Sequence, residues 1–217
     1  MLNTPSAVSP DTLKTRLRAM PEDWRQVVAP YLDEWAPRGL FRDAESGALF
    51  VGHRPEVAPL NFAIHMFPPA TLDDIEKYEK TVGVKIPETA KAFLSAFNGA
   101  GFFEFTLKGA DAFYAQSPWP ENRPDWHCRD MGTQHVVQQR LAKGHRIPVV
   151  FADRNSGMER VLSYAERSDG RIAAIDRQGA LAGEWTNPFE WLSTELRAAS
   201  AFTAEWSAAM GAMLRGR

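Results

Sequence analysis

The chain has 217 residues, 44% hydrophobic and 24% charged, and its 25 Lys plus Arg against 27 Asp plus Glu leave a formal net charge of −2. That balance suits one large domain with an aromatic core, drawn from 7 Trp and 13 Phe, and supplies no basic field of the kind a dedicated nucleic-acid binder needs. A single cysteine, Cys128, excludes an intrachain disulfide and a cysteine-built zinc site. Residues 1–20 lack the apolar centre of a signal peptide and no apolar run is long enough to span a bilayer, so the expected address is the cytoplasm.

The first element is a helix announced by Ser9-Pro10-Asp11, a capping residue followed by proline at the first helical position. Trp24, Val27, Val28, Tyr31, Leu32 and Trp35 then share one face at helical spacing, with Pro30 expected to kink or divide that helix and Gly39 to end it. Residues 40–51 read as a short hairpin around a polar turn. The proline-bearing stretch 54–70 has an apolar centre, Phe62 to Phe67, that fits either a strand or a packed loop.

Thr71 and Asp74 form a capping-box pattern ahead of Leu72, Ile75, Tyr78 and Val82, and Gly83 closes that helix. After the extended Val84-Lys85-Ile86-Pro87, the residues Ala90, Phe93, Leu94 and Phe97 predict a second helix stopped by Asn98-Gly99. Residues 102–107 read as one strand. A long polar stretch follows at 108–132, then a helix over 134–143 and strands at 147–152, 159–164 and 172–176. Asn187-Pro188-Phe189-Glu190 starts another helix, and Phe202, Trp206, Met210, Met213 and Leu214 give a final helix one apolar face.

Several residues invite a functional reading. His127 and Cys128, with Asp125, Asp130 and His135, hold the groups a nucleophile, a base and an orienting carboxylate would need. They are neighbours in sequence without a catalytic or metal-binding spacing, so a loop with an incidental thiol is the preferred reading. The run Asp153 to Glu159 has alternating oxygen ligands but not the glycine and distal Glu of a calcium loop, and reads as a polar turn. Gly99 and Gly101 follow a helix and precede a strand, the wrong order for a phosphate loop. Trp119, Arg123 and Trp126 stand among Pro118, Pro120 and Pro124 with no apolar periodicity to draw them inward. They are the candidate partner-binding residues, since aromatic and Arg anchors dominate interfaces. No catalytic, cofactor or metal residue is assigned.

The string Ile86-Pro87, the helix ending Phe93-Leu94-Ser95-Ala96-Phe97-Asn98-Gly99, and Gly101-Phe102-Phe103 resemble the signature of the SUKH superfamily. Ile147-Pro148-Val149-Val150-Phe151-Ala152-Asp153 and Asn187-Pro188-Phe189-Glu190-Trp191-Leu192 are similar to its later strand and C-terminal helix. The resemblance covers about residues 67–196; the N-terminal region, the terminal helix and the 108–132 stretch depart from it. It implies an α+β fold, an antiparallel sheet of about four to six strands packed against helices, with extra N-terminal helices and a C-terminal helix. The expected division is an N-terminal helical and hairpin extension, 1–60, packed on a SUKH-like domain, 61–217. Members of the family are mostly bacterial immunity proteins that bind toxins encoded beside them, with relatives among fungal regulators of cell-wall assembly. The implied partner is therefore a cognate toxin protein, neutralised by steric occlusion without catalysis or cofactor, and neither nucleic acid nor membrane. A scaffold or regulatory module like the fungal relatives, and a hydrolase using the His127 region, stay as alternatives. The toxin's chemistry and the oligomeric state are left open.

Overall fold

Apolar residues at helical spacing decide how the first two helices bury themselves. The computed structural model describes residues 5–44, 46–55, 57, 61–110, 131, 148–156 and 161–215, with backbone alone for 207, 208 and 210–215. A short strand, β1 (Ser6–Ala7), precedes helix α1 (Pro10–Ala19), whose Leu13 is buried. Ser9 caps with its carbonyl, accepting from Thr12 N–H at 3.0 Å, and its hydroxyl takes no part. In α2 (Glu22–Trp35) the buried residues are Trp24, Val28, Leu32 and Trp35. Pro30 does not divide this helix. Its ring lies on the exposed side, and four buried side chains outweigh the missing N–H, a defect of about 3 kcal/mol in an unsupported helix.

The strands are laid down in chain order: β2 (Leu40–Arg42), β3 (Leu49–His53), β4 (Phe62–Met66), β5 (Ala100–Phe102), β6 (Phe105–Leu107), β7 (Val150–Asn155), β8 (Val161–Glu166), β9 (Ile172–Ile175) and β10 (Leu181–Trp185). Among the described residues they form one antiparallel sheet of ten strands in the order β1 to β10. The expected sheet was about half as wide. The 40–51 hairpin and β4 pair into the same sheet, with Val51 opposite Ile64. The single strand expected over 102–107 is a hairpin that turns at Phe103-Glu104. That turn holds no glycine: Phe103 takes φ 57, and its ring packs edge-on to Tyr31 at 6.0 Å and Trp35 at 5.5 Å. Tertiary contacts outweigh a left-handed cost of about 1–2 kcal/mol.

Helix α3 (Leu72–Val82) carries the full capping box, Asp74 N–H donating to Thr71 Oγ1 at 3.1 Å and Thr71 N–H to Asp74 Oδ2 at 3.0 Å. The connector to α4 (Glu88–Leu94) is held from α3: Ile86 N–H donates to the buried Glu79 Oε1 at 2.8 Å, and Lys85 Nζ lies 2.5 Å from Oε2. Burial pushes Glu79 upward, but Lys85, the Ile86 amide and Lys91 outweigh it and leave the carboxyl below its ordinary range. The Asn98-Gly99 stop is corrected. Helix α4 ends at Leu94, and Gly99, at φ 94, serves the turn into β5.

The two expected C-terminal helices are one, α5 (Pro188–Arg215), started by Asn187 Oδ1, which accepts from Phe189 N–H at 2.8 Å. The helices cover one sheet face. There Trp191 of α5 meets Phe105, Phe151 and Tyr164 at 5.4–5.6 Å between ring centres, and Trp24 reaches Phe93 and Phe189. On the other face a row crosses the sheet through Phe50, His65, Gly101, Thr106, Asp153 and Ser163. A Cβ at Gly101 would stand 2.0 Å from the His65 ring, so only glycine lets that ring lie across β5.

Candidate functional site

Trp119, Arg123 and Trp126 lie outside the described residues, as do Asp125, His127, Cys128, Asp130, His135 and the 134–143 segment. Residues 108–110 ahead of 111–130, and the single residue Met131 after it, are described and tightly bonded. Directly after β6, Lys108 N–H donates to Phe151 O of β7 at 2.9 Å, while its fully buried Nζ lies 2.9 Å from Asp153 Oδ2. Asp153 Oδ1 accepts from Ser163 Oγ at 2.8 Å. A buried ammonium needs such a partner, because desolvating an unpaired charge costs several kcal/mol.

The next two residues are gripped by Asn98. Ala110 N–H donates to Asn98 Oδ1 at 2.7 Å and Asn98 Nδ2 donates to Ala110 O at 3.2 Å, so one amide side chain satisfies both backbone groups of one residue. A Cβ at Gly109 would meet Asn98 O at 2.8 Å, which demands glycine there. On the return side, Met131 is fully buried and its N–H donates to Gly109 O at 3.1 Å. Gly109 and Met131 are thus bonded directly to each other. Asn98 and Asp153 come from two separate motifs of the sequence, and the fold brings both to the tripeptide Lys108-Gly109-Ala110.

A second polar group lies on the helix-covered face. Arg154 stands opposite Phe105 and Leu162 in the sheet and reaches α5, where its Nη1 lies 2.6 Å from Glu195 Oε2. Tyr164, fully buried, faces the same carboxylate. Burial holds Glu195 above the ordinary carboxylate range, against the Tyr164 hydroxyl and Arg154, which pull it down. Burial, with the Glu195 charge adding to it, pushes the Tyr164 phenol up. Enclosed between helix and sheet, this group ties α5 down. Further along α5, the Arg54 guanidinium stands 5.8 Å from the ring of Trp206, an exposed aromatic at 40%.

The other sequence candidates resolve in part. Asp153 to Asn155 belong to β7, with Asp153 bonded to Lys108 and Arg154 to Glu195; residues 157–160 lie outside the described part. Among the described residues no three His, Cys, Asp or Glu side chains are grouped as metal ligands, and no helix is long and apolar enough to cross a membrane. Nothing in the sequence marks Asn98 or Glu195 as a partner of a distant residue: Asn98 reads as part of a helix stop, and Glu195 as one more residue inside a helix.

Comparison with known proteins finds one family whose profile covers the part of the chain that holds these motifs. No curated protein and no solved structure matches. The SMI1 / KNR4 family (SUKH-1) matches residues 69–194, more than half of the chain, from just ahead of α3 to the first turns of α5. With its α+β architecture and an antiparallel sheet packed on helices, the chain belongs to the SMI1 / KNR4 family, SUKH-1.

Proposed function

We propose that this chain is an immunity protein: a non-catalytic binder that docks onto one toxin encoded beside it and blocks that toxin sterically. The observation that carries the reading is the family match over residues 69–194, which includes every motif through which the chain resembles toxin-neutralising members. In this reading the protein works in the cytoplasm of the cell that makes the toxin. Residues 1–60 are an extension packed on the domain formed by 61–217, and Trp119, Arg123 and Trp126 are the anchors that meet the toxin. The bonding of residues 108–110 and Met131 supports that last assignment, since a segment whose ends are hydrogen-bonded together loses less freedom on binding than one with loose ends.

The test uses the purified, inactivated toxic domain encoded by the adjacent gene, titrated calorimetrically. Trp119→Ala and Trp126→Ala should each weaken binding by about 2 kcal/mol or more, while Lys77→Ala on the exposed side of α3 should change little. Folded Trp variants that bind like the parent would move the docking site to the aromatic sheet face around Phe41, Phe62 and His65. A gene with no toxin beside it would favour a regulatory scaffold, the family's other role.

A further inference from the structure

We infer that Asn98-Gly99 is a site of spontaneous chemical modification, closed while the turn between α4 and β5 is folded and open to deamidation when that turn comes apart. Asn98 is the only asparagine of the chain that glycine follows. The structure demands both residues. Gly99 takes φ 94, a backbone conformation that favours glycine. Asn98 satisfies both backbone groups of Ala110, accepting from its N–H at 2.7 Å and donating to its carbonyl at 3.2 Å, a pairing that needs a primary amide. Their adjacency has a chemical consequence, because glycine has no side chain to shield its backbone nitrogen from the amide carbon of the residue before it.

In the opened chain the Gly99 nitrogen gives its proton to solvent and attacks Asn98 Cγ. The bond from Gly99 N to Cγ forms, the Cγ–Nδ2 bond breaks, and Nδ2 takes up a proton and leaves as ammonia, closing a succinimide ring. Water then adds to one of the two ring carbonyls, and the ring opens to aspartate or to isoaspartate. Folded contacts oppose the first step at each reacting atom. Gly99 N–H donates to Phe97 O at 2.9 Å, which holds its proton, and the Asn98 amide is held by Ala110. Asn98 N–H donates to Pro68 O at 2.9 Å and Phe67 N–H donates to Gly99 O at 3.1 Å, so the backbone is fixed on both sides of the reacting pair. The same bonds make the change damaging. A carboxylate at position 98 cannot donate to Ala110 O. Isoaspartate adds a carbon to the backbone between the bonds to Pro68 and Phe67, which continue the β4–β5 ladder past Met66 and Ala100.

The experiment ages the full chain in mildly alkaline buffer, folded and in guanidinium, and follows the tryptic peptide of residues 92–108 by its mass and by enzymatic methylation of isoaspartyl carboxylates. Asn98 should convert at least about tenfold more slowly in the folded chain than in guanidinium, since the reaction must wait for the turn to open. Gly109→Ala, whose Cβ would stand 2.8 Å from Asn98 O, should loosen the grip and raise the folded rate severalfold. If that variant does not fold, the parent is aged instead in guanidinium below its unfolding transition, where the rate should climb with denaturant. When the fully unfolded, aged sample is returned to buffer, chains carrying isoaspartate should be missing from the folded fraction while unmodified chains recover. Equal rates in the folded and unfolded chain would overturn the closed state, and full refolding of the modified chains would overturn the damage to the turn. An Asn98 that does not convert even in guanidinium would overturn the site itself.

Discussion

Two buried carboxylates on helices, Glu79 of α3 and Glu195 of α5, face cations in both cases and end with opposite protonation tendencies. Glu79 lies near the surface, where it accepts from Lys85, itself 88% exposed, and from the Ile86 backbone amide, with Lys91 at 3.4 Å. Glu195 lies between α5 and the sheet, with one guanidinium and one phenol. Burial opposes ionisation in both. It loses at Glu79, where three donors converge, and wins at Glu195, where fewer do. The difference shows that depth alone does not set the charge of a buried acid: the number of donors and their access to water decide it.

The comparison breaks most sharply at Glu195. Replacing it with Ala strands Arg154 and the Tyr164 hydroxyl, and should cost about 3 kcal/mol in urea denaturation, the low end for a broken buried pair because Arg154 keeps 21% exposure. Glu195→Gln keeps a partner for Tyr164 and should cost less. Parent-like stability in Glu195→Ala would mean that α5 is held by its apolar residues alone.

Glu79→Ala should cost about 1–3 kcal/mol, because it leaves the buried Ile86 N–H without an acceptor, whereas Glu79→Gln restores one. The pH dependence separates the two acids. Glu79 sits below the ordinary carboxylate range, so its stabilisation is fully present above that range and is lost as pH falls through its depressed folded value. Glu195 sits above it, so the folded state holds the proton longer than the unfolded chain, and stability declines as pH rises from the unfolded value through the raised one. Glu79→Gln should therefore flatten the acid limb of a stability profile, and Glu195→Gln should remove part of the decline on the rising side. The same slope in both variants would erase the contrast.

The smallest effect is expected at Thr71, whose cap is exposed and local. Thr71→Ala should lower stability by about 1 kcal/mol, read as a small fall in Tm. A loss as large as that of Glu195→Ala would show that the start of α3 is held by more than its capping box.

Legibility in the sequence followed the distance between partners. Thr71 with Asp74, Asn187 with Pro188, and Gly83 after Val82 all bond within a turn of themselves, and each marks its element as expected. The Phe103-Glu104 turn was not legible, since its left-handed residue is stabilised by Tyr31 and Trp35, far away in the chain. At the β9–β10 turn Asp176 Oδ1 accepts from Gln178 and Ala180 N–H, yet the strand after it, Leu181–Trp185, carries no apolar alternation to mark it. Asn98 reads as a helix stop because its partner, Ala110, lies beyond an intervening hairpin.

By itself the sequence determined the helix starts and the aromatic core, which depend on spacing and on residues within a few positions of one another, and the motifs through which it resembles the SUKH superfamily and which imply the α+β class. Only the tertiary structure decided that the N-terminal hairpin joins a single wide sheet, that α5 is one helix pinned by Glu195, and that Asn98 and Asp153 meet at the tripeptide Lys108-Gly109-Ala110. Those outcomes rest on pairings between residues beyond one turn or hairpin of each other, from Asn98 with Ala110 to Lys108 with Asp153. Their energies come from backbone ladders and desolvated charges, which any of several strands or side chains can supply until the chain has closed on itself.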